Sequence, residues 1–260
     1  MDEPKPRTRL YHDAALAKGA HVVLDKDQAH YLQHVLRQKQ GDALRLFNER
    51  DGEWLATITE IKKKSAALAV SEQLAAPTPL PDVWVLFAPI KFGKIDFLAQ
   101  KITELGAAKM QPVITEYTQM QRVNYERLRA NAIEAAQQCE RTSLPEVAES
   151  VNLRQLLADW PEDRLLVYGD ESGDGVSLGE LCAAEKPEKW GLLIGPEGGF
   201  SPQEHALLKA HKNIKAVGLG PRILRADTAA LTLLAVTQSH WGDWSLPPHF
   251  ESPAHDDPSD

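Results

Sequence analysis

The chain of 260 residues contains little cysteine and no long apolar run. Its two cysteines, Cys139 and Cys182, each lie in a helix-like context without a nearby partner. This argues against a disulfide framework or a cysteine-based zinc site and suits a reducing compartment. No apolar stretch reaches the length of about 18 residues that a membrane helix needs, and the N-terminus lacks a hydrophobic signal region. We therefore expect a soluble, cytoplasmic protein with no membrane partner.

Basic charge is also scarce, because the formal net charge is −8 at pH 7. A negative total argues against a protein that grips nucleic acid non-specifically over its whole surface. The acidic residues are concentrated toward the C-terminal half and the tail, whereas residues 1–75 are nearly neutral. A local RNA contact in the N-terminal part is compatible with this distribution.

The best-known nucleotide-binding motifs are missing from the glycine-rich segments of the chain. Neither segment contains a G-x-x-x-x-G-K-[ST] loop, and Ile223 stands where a third glycine would follow Gly218 and Gly220 in a dinucleotide fingerprint. We therefore expect neither a kinase-like nor an NAD-binding function.

Two glycine-rich segments, residues 193–201 and 217–230, are the most informative feature that is present. Each runs from an apolar, strand-like stretch into a glycine-rich turn and then into the start of a helix. Successive parallel strands place such turns together at their carboxyl ends, where α/β proteins bind ligands. One segment alone is explained equally well by a tight turn. Two in succession, the second with Arg222 and Arg225, favour a small-molecule pocket.

Two domains are expected on either side of a proline-rich linker. Residues 1–75 contain short strands and one helix, which suggests a small β-barrel of the kind often used for RNA. Residues 76–82 form the linker. Residues 83–245 alternate strands and helices, which predicts an α/β domain with a mostly parallel sheet, and residues 246–260 are expected to be a disordered acidic tail. The strands expected in the first domain are 9–11, 21–24, 44–47, 54–58 and 66–70.

The last predicted helix, which contains Ala229 to Val236, is apolar on nearly every face. A helix at the protein surface would show a single apolar stripe. This helix must therefore be covered all round, either inside a larger fold or by a second subunit. We expect a homodimer.

Five separated motifs occur in a fixed order along the chain. The glycine-rich segments carry Gly195-Pro196-Glu197-Gly198-Gly199-Phe200 and Leu219-Gly220-Pro221-Arg222-Ile223-Leu224-Arg225. The other three are His30 with His34-Val35-Leu36-Arg37, Lys101 with Thr103-Glu104-Leu105-Gly106, and Glu134-Ala135-Ala136-Gln137-Gln138 with Arg141. Together they resemble the ribosomal RNA small subunit methyltransferase E family over most of the chain. One departure is Asp227, which stands where the family usually has glutamate.

The resemblance implies a SPOUT-type α/β domain with a C-terminal trefoil knot, preceded by a PUA-like β-barrel. It also implies a homodimer that uses S-adenosylmethionine to methylate N3 of one specific uridine in 16S rRNA of the small ribosomal subunit. Backbone groups of the two glycine-rich turns would hold the cofactor in a pocket formed by the knot. The cofactor-binding residues expected on this basis are Leu193, Gly195, Pro196, Glu197, Gly198, Gly199, Leu219, Gly220, Ile223, Leu224, Arg225 and Thr228.

Methylation at a uridine N3 sets two tasks for catalytic residues, because the neutral imide nitrogen has no available lone pair and must lose its proton. Arg225 suits the stabilisation of the resulting anion, since a guanidinium can bridge the uracil carbonyl oxygens. Asp227 or Glu197 can accept the proton. For Glu197, a structural role is an equally good interpretation, either capping the following helix or holding the turn. The carboxylate of Asp227 is one methylene shorter than that of glutamate, which weakens any role that depends on its reach.

Basic and aromatic side chains near strand and helix ends are the candidates for RNA contact. His30 and His34 have the spacing of a metal-binding pair, but no third ligand is evident, so we expect no metal. Arg222 can bind phosphate or tie the loops together. The segment Lys62-Lys63-Lys64 is either a solvated hairpin end or a phosphate contact. The residues that we expect to contact RNA are His30, Arg37, Arg45, Lys91, Lys94, Arg122 and Arg141.

Two other functions remain open at this stage. A related SPOUT enzyme with the same cofactor pocket would methylate a ribose 2′-hydroxyl or a tRNA base, and analysis of the product distinguishes it. A non-catalytic ribosome-assembly factor would keep the fold and the RNA contacts, and its role would survive replacement of Arg225.

Overall fold

The structure is a computed structural model that describes residues 6–90, 93–120, 122–170 and 175–247. The chain divides into two compact units, Met1–Pro79 with Ile133–Leu144 and Leu80–Ala132 with Pro145–Asp260. The segment Ile133–Leu144 thus belongs to the first unit, although its sequence position lies within the expected α/β domain. Lys91 and most of the expected tail lie outside the described residues.

The first unit is built on a five-stranded sheet with the order β1-β3-β4-β5-β2. β1 pairs with β3 in parallel, and the other neighbours are antiparallel. All five strands predicted from the sequence are present, and the last two are longer than predicted. Their bounds are β1 (Arg9–Tyr11), β2 (His21–Leu24), β3 (Ala43–Asn48), β4 (Gly52–Lys62) and β5 (Ser65–Ala75).

One helical segment covers this sheet between β2 and β3. It begins with α1 (Lys26–His30), where the Asp25 carboxylate caps the helix by accepting from the backbone N–H groups of Asp27 and Gln28. The segment continues as a π-helical turn, Tyr31–Val35. Apolar residues such as Leu24, Leu32 and Leu68 are fully buried between the helical segment and the sheet. The core of the first unit therefore includes both.

The second unit contains an eight-stranded sheet, which confirms the predicted α/β fold. The main strand order is β11-β13-β10-β12-β6-β7-β8, with β9 paired to β7, and every pairing is parallel. The strands are β6 (Asp82–Phe87), β7 (Lys109–Ile114), β8 (Glu146–Val147), β9 (Val151–Asn152), β10 (Leu165–Gly169), β11 (Val176–Ser177), β12 (Lys189–Ile194) and β13 (Ile214–Gly218).

Helices connect these strands and cover both faces of the sheet, as parallel topology requires. One apolar core lies under α2, α5 and α7 and a second under α4 and α6. The strand β12 serves both, since Trp190, Leu192 and Ile194 belong to the first core and Leu193 to the second. The helices are α2 (Lys94–Glu104), α3 (Tyr125–Gln138), α4 (Leu153–Ala158), α5 (Leu178–Ala184), α6 (Pro202–Ala210) and α7 (Ala226–Trp241).

The long helix α7 is fixed near its C-terminal end by a buried glutamine. The Gln238 side chain donates a hydrogen bond to the Leu105 carbonyl at 2.9 Å. At Gly106 the backbone is left-handed, with φ of +87°, and an added Cβ would lie 2.8 Å from Gln238 Nε2. Glycine is therefore required at this position both for its conformation and for its small size.

Within the described residues, no helix combines the length and hydropathy needed to cross a bilayer. The same residues include no cluster of three or more His, Cys, Asp or Glu side chains arranged to hold a metal ion.

Candidate active site

Three neighbouring strands of the second unit end beside one another at the candidate site. β10 lies between β12 and β13 and is parallel to both. The two glycine-rich segments follow β12 and β13, so their turns meet at the carboxyl edge of the sheet, as the sequence predicts. This edge is the usual ligand-binding position in open α/β sheets.

A cavity of about 390 Å³ opens at this edge. Its walls come from the connections after β10, β12 and β13 and from the first turns of α6 and α7. The lining residues are Gly169, Asp170, Ile194, Gly195, Pro196, Glu197, Gly199, Phe200, His205, Gly218, Leu219, Gly220, Pro221, Arg222, Ile223, Leu224, Arg225, Ala226 and Ala229. Backbone and apolar groups thus make up most of the lining, with a few charged side chains.

The glycines of the cavity wall have distinct structural roles. Gly199 and Gly220 have φ values of +71° and +95°, a region in which residues with a Cβ are strained. Space is tight at Gly195, because an added Cβ would lie 3.1 Å from the ring of Phe200 and that ring would have to shift. That ring packs edge-on against Tyr168, with the centroids 5.9 Å apart. The wall next to Gly195 is therefore a fixed aromatic surface.

Most of the predicted cofactor-binding residues line this cavity, but three do not. Leu193 is fully buried in the core on the α4 and α6 side of the sheet, because side chains alternate along β12. Gly198 is exposed, and its Cβ position faces Tyr117 rather than the cavity. Thr228 is exposed in the first turn of α7 and is not part of the lining.

Several lining residues were not predicted from the sequence. Gly169 is the last residue of β10 and Asp170 follows it, and Asp170 is a buried carboxylate. His205 enters from α6 and contacts the Phe200 ring, with the centroids 5.8 Å apart. The only local signal for Asp170 is a polar residue directly after an apolar strand. Its significance depends on the strand order, which places β10 between the two glycine-rich connections.

Two arginines and a glutamate supply the exposed charges of the lining. Arg225 is the N-cap residue of α7 through its extended backbone, and its side chain makes no capping hydrogen bond. Glu197 is exposed in the turn after β12. It does not cap α6, since Ser201 and Glu204 form a reciprocal capping box there. The capping interpretation of Glu197 is therefore wrong, whereas its position at the cavity leaves it accessible to a bound molecule.

Asp227 lies outside the cavity lining. One of its carboxylate oxygens accepts a hydrogen bond from the Thr228 backbone N–H at 3.1 Å, and the other is 3.9 Å from Lys94 Nζ. Of the two carboxylates named as candidates for the proton acceptor, Glu197 lines the cavity and Asp227 does not. Asp227 instead stabilises the first turn of α7 and faces the start of α2.

Comparison with protein families supports a specific assignment. Residues 76–238 match the model of an RNA methyltransferase domain, and residues 24–71 match that of an RNA methyltransferase PUA domain. A ribosomal RNA small subunit methyltransferase E from Rickettsia conorii is 36% identical over 87% of this chain and 93% of its own length. The chain belongs to the ribosomal RNA small subunit methyltransferase E family.

Solved structures support the same family relationship. A ribosomal RNA small subunit methyltransferase E from Neisseria gonorrhoeae, bound to S-adenosylmethionine, has a TM-score of 0.83 at 27% identity, covering 91% of this chain and 99% of that protein. A methyltransferase from Legionella pneumophila with bound S-adenosylmethionine also has a TM-score of 0.83, at 30% identity, covering 91% of this chain and 98% of that one. The methyltransferase E fold therefore extends over nearly the whole chain.

Basic surface residues are the candidates for RNA contact in a methyltransferase E family member. The structure contradicts one predicted contact, that of Arg45. Arg45 is only 8% exposed. Its guanidinium donates to Glu53 and forms a two-pronged ion pair with Glu140 at 2.7 and 2.8 Å. Burial lowers the pKa of Arg45, but hydrogen bonds and the charges of Glu140 and Glu53 raise it above its ordinary value. Arg45 is a structural residue of the first unit and does not present its charge to RNA.

The other RNA candidates have different environments. His30, Arg37 and Arg122 are exposed. Lys94 is partly exposed and faces Asp227, as described above. Arg141 is half-buried in the first unit, where its backbone carbonyl accepts a hydrogen bond from Arg9 at 3.1 Å. The exposed candidates thus lie on both units, whereas Lys91 lies outside the described residues.

Proposed function

We propose that this protein is an S-adenosylmethionine-dependent rRNA methyltransferase that methylates N3 of one uridine in 16S rRNA of the small ribosomal subunit. The observation that carries the proposal is the cavity at the ends of β10, β12 and β13, with Arg225 and Glu197 in its lining. The cavity combines space for a small cofactor with a guanidinium and a carboxylate, which are the groups needed to methylate an imide nitrogen.

The residues of the cavity fit S-adenosylmethionine in size and chemistry. A volume of about 390 Å³ lies within the range of about 300–1,000 Å³ that is usual for ligand sites. The glycine-rich turns offer backbone N–H and C=O groups without intervening side chains, and Asp170 provides a carboxylate that suits a ligand with positive charge. When bound, S-adenosylmethionine supplies an electrophilic methyl group on a sulfonium centre.

Arg225 is the residue that we assign to the uracil. Its side chain is not used for helix capping and lies at the cavity, so it is available to pair with the carbonyl oxygens beside N3. A guanidinium stabilises negative charge on these oxygens as the N3 proton leaves. Removal of such a donor typically lowers kcat by about 10²- to 10³-fold.

Glu197 is the residue that we assign to proton acceptance. It lines the cavity, whereas Asp227 does not. General-base catalysis by a well-placed carboxylate contributes roughly 10²- to 10⁴-fold to the rate. Asp227 instead positions Arg225, because it stabilises the first turn of α7, which begins directly after Arg225.

Several further properties form part of the proposal. The C-terminal segment forms a trefoil knot, and the protein acts as a cytoplasmic homodimer without a metal ion. The dimer is supported by α7, since its residues Leu231, Ala235 and Val236 are only partly buried by this chain. His30, Arg37, Lys94, Arg122 and Arg141 contribute to RNA binding, with Lys94 also restrained by Asp227.

The test is transfer of labelled methyl from S-adenosylmethionine to undermethylated small ribosomal subunits, followed by digestion to nucleosides and chromatography. We expect 3-methyluridine with the wild-type protein and a loss of about 10²- to 10³-fold in kcat with Arg225→Ala. Glu197→Gln should lower kcat more than Asp227→Asn. The matched control is Arg154→Ala. It removes an exposed arginine from α4, which covers the opposite face of the sheet from α7.

Other products would redirect the proposal. A 2′-O-methylated nucleoside or a methylated tRNA base would identify a different SPOUT activity in the same pocket. Absence of label from every RNA, together with normal cellular function of Arg225→Ala, would identify a non-catalytic assembly factor.

A further inference from the structure

A short surface of the first unit, formed by His30, His34 and Arg37 and here termed the histidine face, has an unusual backbone. Residues Tyr31–Val35 form a π-helical turn, in which the Leu36 N–H donates to the Tyr31 carbonyl at 3.0 Å. Such turns are rare and occur frequently at functional sites, because their wider hydrogen-bonding spacing is not the preferred helical geometry. The histidine face surrounds this turn and carries polar side chains that the core of the unit does not use.

The two histidines of this face form an exposed pair. Their ring centroids are 4.5 Å apart, with an angle of 41° between the planes. Among the described residues, neither imidazole has a hydrogen-bond partner in another residue. Val35, next to His34, is 59% exposed. The two imidazole rings of the histidine face and the side chain of the adjoining Val35 are therefore presented to solvent and are not used in the core of the unit.

Arg37 ends the turn in a conformation that favours glycine. Its φ is +54°, and the following Gln38 N–H donates to the Leu32 carbonyl at 3.0 Å, as in a helix C-terminal cap. Glycine would adopt this conformation without strain. An exposed arginine in its place is destabilising, which indicates that its side chain serves a purpose other than folding.

A lysine-rich hairpin end is fastened to the same turn. Gln33 donates from its side-chain amide to the Lys62 carbonyl at 3.1 Å. Lys62 itself pairs with Glu60 at 2.8 Å. Lys63 and Lys64 are exposed, and in the described part of the chain neither forms an ion pair. Positive charge without an ion-pair partner among the described residues thus lies close to the tilted imidazole pair.

We propose that the histidine face binds a single-stranded segment of RNA. An unpaired base stacks on the imidazole pair, and the adjoining phosphates contact Arg37 and the hairpin end at Lys63 and Lys64. Stacking on aromatic or histidine rings and neutralisation of phosphates are the two usual elements of single-strand recognition. A metal is the poorer occupant of this surface, since two histidines without a third ligand do not make a stable site. The proposal rests on the proposed RNA substrate and specifies which surface of the first unit binds it.

Binding of the full-length protein to two probes tests the proposal. One probe is an oligouridylate of about 12 nucleotides, within the site sizes of single-strand binders, and the other is an abasic strand of equal length. His34→Ala should weaken oligouridylate binding by roughly 5- to 100-fold, the loss expected for one stacked base. It should leave abasic binding nearly unchanged. His34→Phe keeps a stacking ring and should bind like the wild type.

Arg37→Gly separates binding from folding. Glycine suits the left-handed backbone, so the urea midpoint should be unchanged or higher, while RNA binding weakens. The logarithm of the association constant falls linearly with the logarithm of the salt concentration. The magnitude of that slope should decrease by about 0.7 when one phosphate contact on a single strand is lost. Arg37→Lys should keep most of that slope. Lys18→Ala removes an exposed charge from another loop of the same unit and should have a much smaller effect.

The outcomes are distinct. Equal loss with His34→Phe and His34→Ala would overturn base stacking, and wild-type affinity in Arg37→Gly would overturn the phosphate contact. Methylation of small subunits by the wild type is measured in parallel with RNA binding. A protein that binds oligouridylate through these residues but yields no 3-methyluridine would contradict the proposed function and leave the histidine face in place.

Discussion

Replacing Arg9 with methionine tests the charge cluster that fixes Ile133–Leu144 within the first unit. The Arg9 guanidinium is almost completely buried and donates from Nε to Glu53 at 2.6 Å. Its Nη1 donates to the Ala136 carbonyl at 2.7 Å, and its Nη2 to the Arg141 carbonyl at 3.1 Å. The guanidinium also lies over the Phe47 ring, 4.2 Å from the ring centroid. One side chain therefore joins β1, β3 and β4 to the end of α3.

The expected cost follows from charge balance in a buried site. Arg9 and Arg45 are balanced by Glu53 and Glu140, so removal of Arg9 leaves the cluster with a net negative charge. Breaking a buried pair from one side typically costs about 3–5 kcal/mol. The backbone carbonyls at the end of α3 lose their donor as well. We therefore expect Arg9→Met to lower the free energy of unfolding by about 3–5 kcal/mol.

A second substitution distinguishes charge imbalance from lost packing. Adding Glu53→Gln to Arg9→Met restores neutrality, because Arg45 and Glu140 remain paired, so the double variant should be more stable than the Arg9→Met single variant. Arg127→Met is the matched control. It also breaks an arginine–carboxylate pair, with Asp96, but its side chain is 59% exposed, and exposed pairs contribute about 0–1 kcal/mol.

Urea unfolding gives the free energies, and hydrogen exchange shows where stability is lost. Exchange should accelerate in β1, in β3 and in residues 133–144, and should change little in the sheet of the second unit. Wild-type stability of Arg9→Met, or a loss no larger than that of Arg127→Met, would refute the assignment of this cluster as a structural anchor.

Two further predictions concern the cavity and the two cysteines. Gly195→Ala should weaken S-adenosylmethionine binding about tenfold in calorimetry, since its methyl would press on the Phe200 ring at 3.1 Å. Gly198→Ala should bind normally, because its Cβ would lie in ordinary contact and outside the cavity; equal losses would contradict the cavity assignment. Burial raises the pKa of Cys182 to about 11, so at pH 8 the native protein should be alkylated first at the half-buried Cys139. Faster labelling of Cys182 by peptide mass spectrometry would contradict its burial.

The strands of the first unit were predictable because short, mainly apolar stretches are separated by turn residues such as Gly41-Asp42 and Asp51-Gly52. Their ends were not: β4 extends to Lys62 and β5 to Ala75, beyond the predicted limits of 58 and 70. These outer residues are mainly exposed and polar, so they carry no burial signal. They remain in strands because the two arms of a hairpin hydrogen-bond to each other regardless of hydropathy.

The place of Ile133–Leu144 could not be derived from its own sequence. Helical periodicity predicts a long helix from about Asn124 to Arg141, and α3 spans Tyr125–Gln138. The assignment of its second half to the first unit depends on Arg9 and Arg45, which lie roughly a hundred residues earlier in the chain. A local pattern does not indicate which distant charge will pair with Glu140. For the same reason Arg45 looked like an exposed RNA contact, whereas it is a buried partner of Glu140.

Part of the candidate site is predictable from the sequence. Strand-turn-helix patterning places the two glycine-rich turns together, because parallel strands share a carboxyl edge. Helix geometry alone also gives a reason to place Asp227 outside the cavity. Ala226 and Ala229, three apart in α7, share the face that lines the cavity, whereas Asp227 projects about 100° away from Ala226 around the helix. Asp227 therefore faces Lys94, whereas Glu197 lines the cavity together with Arg225.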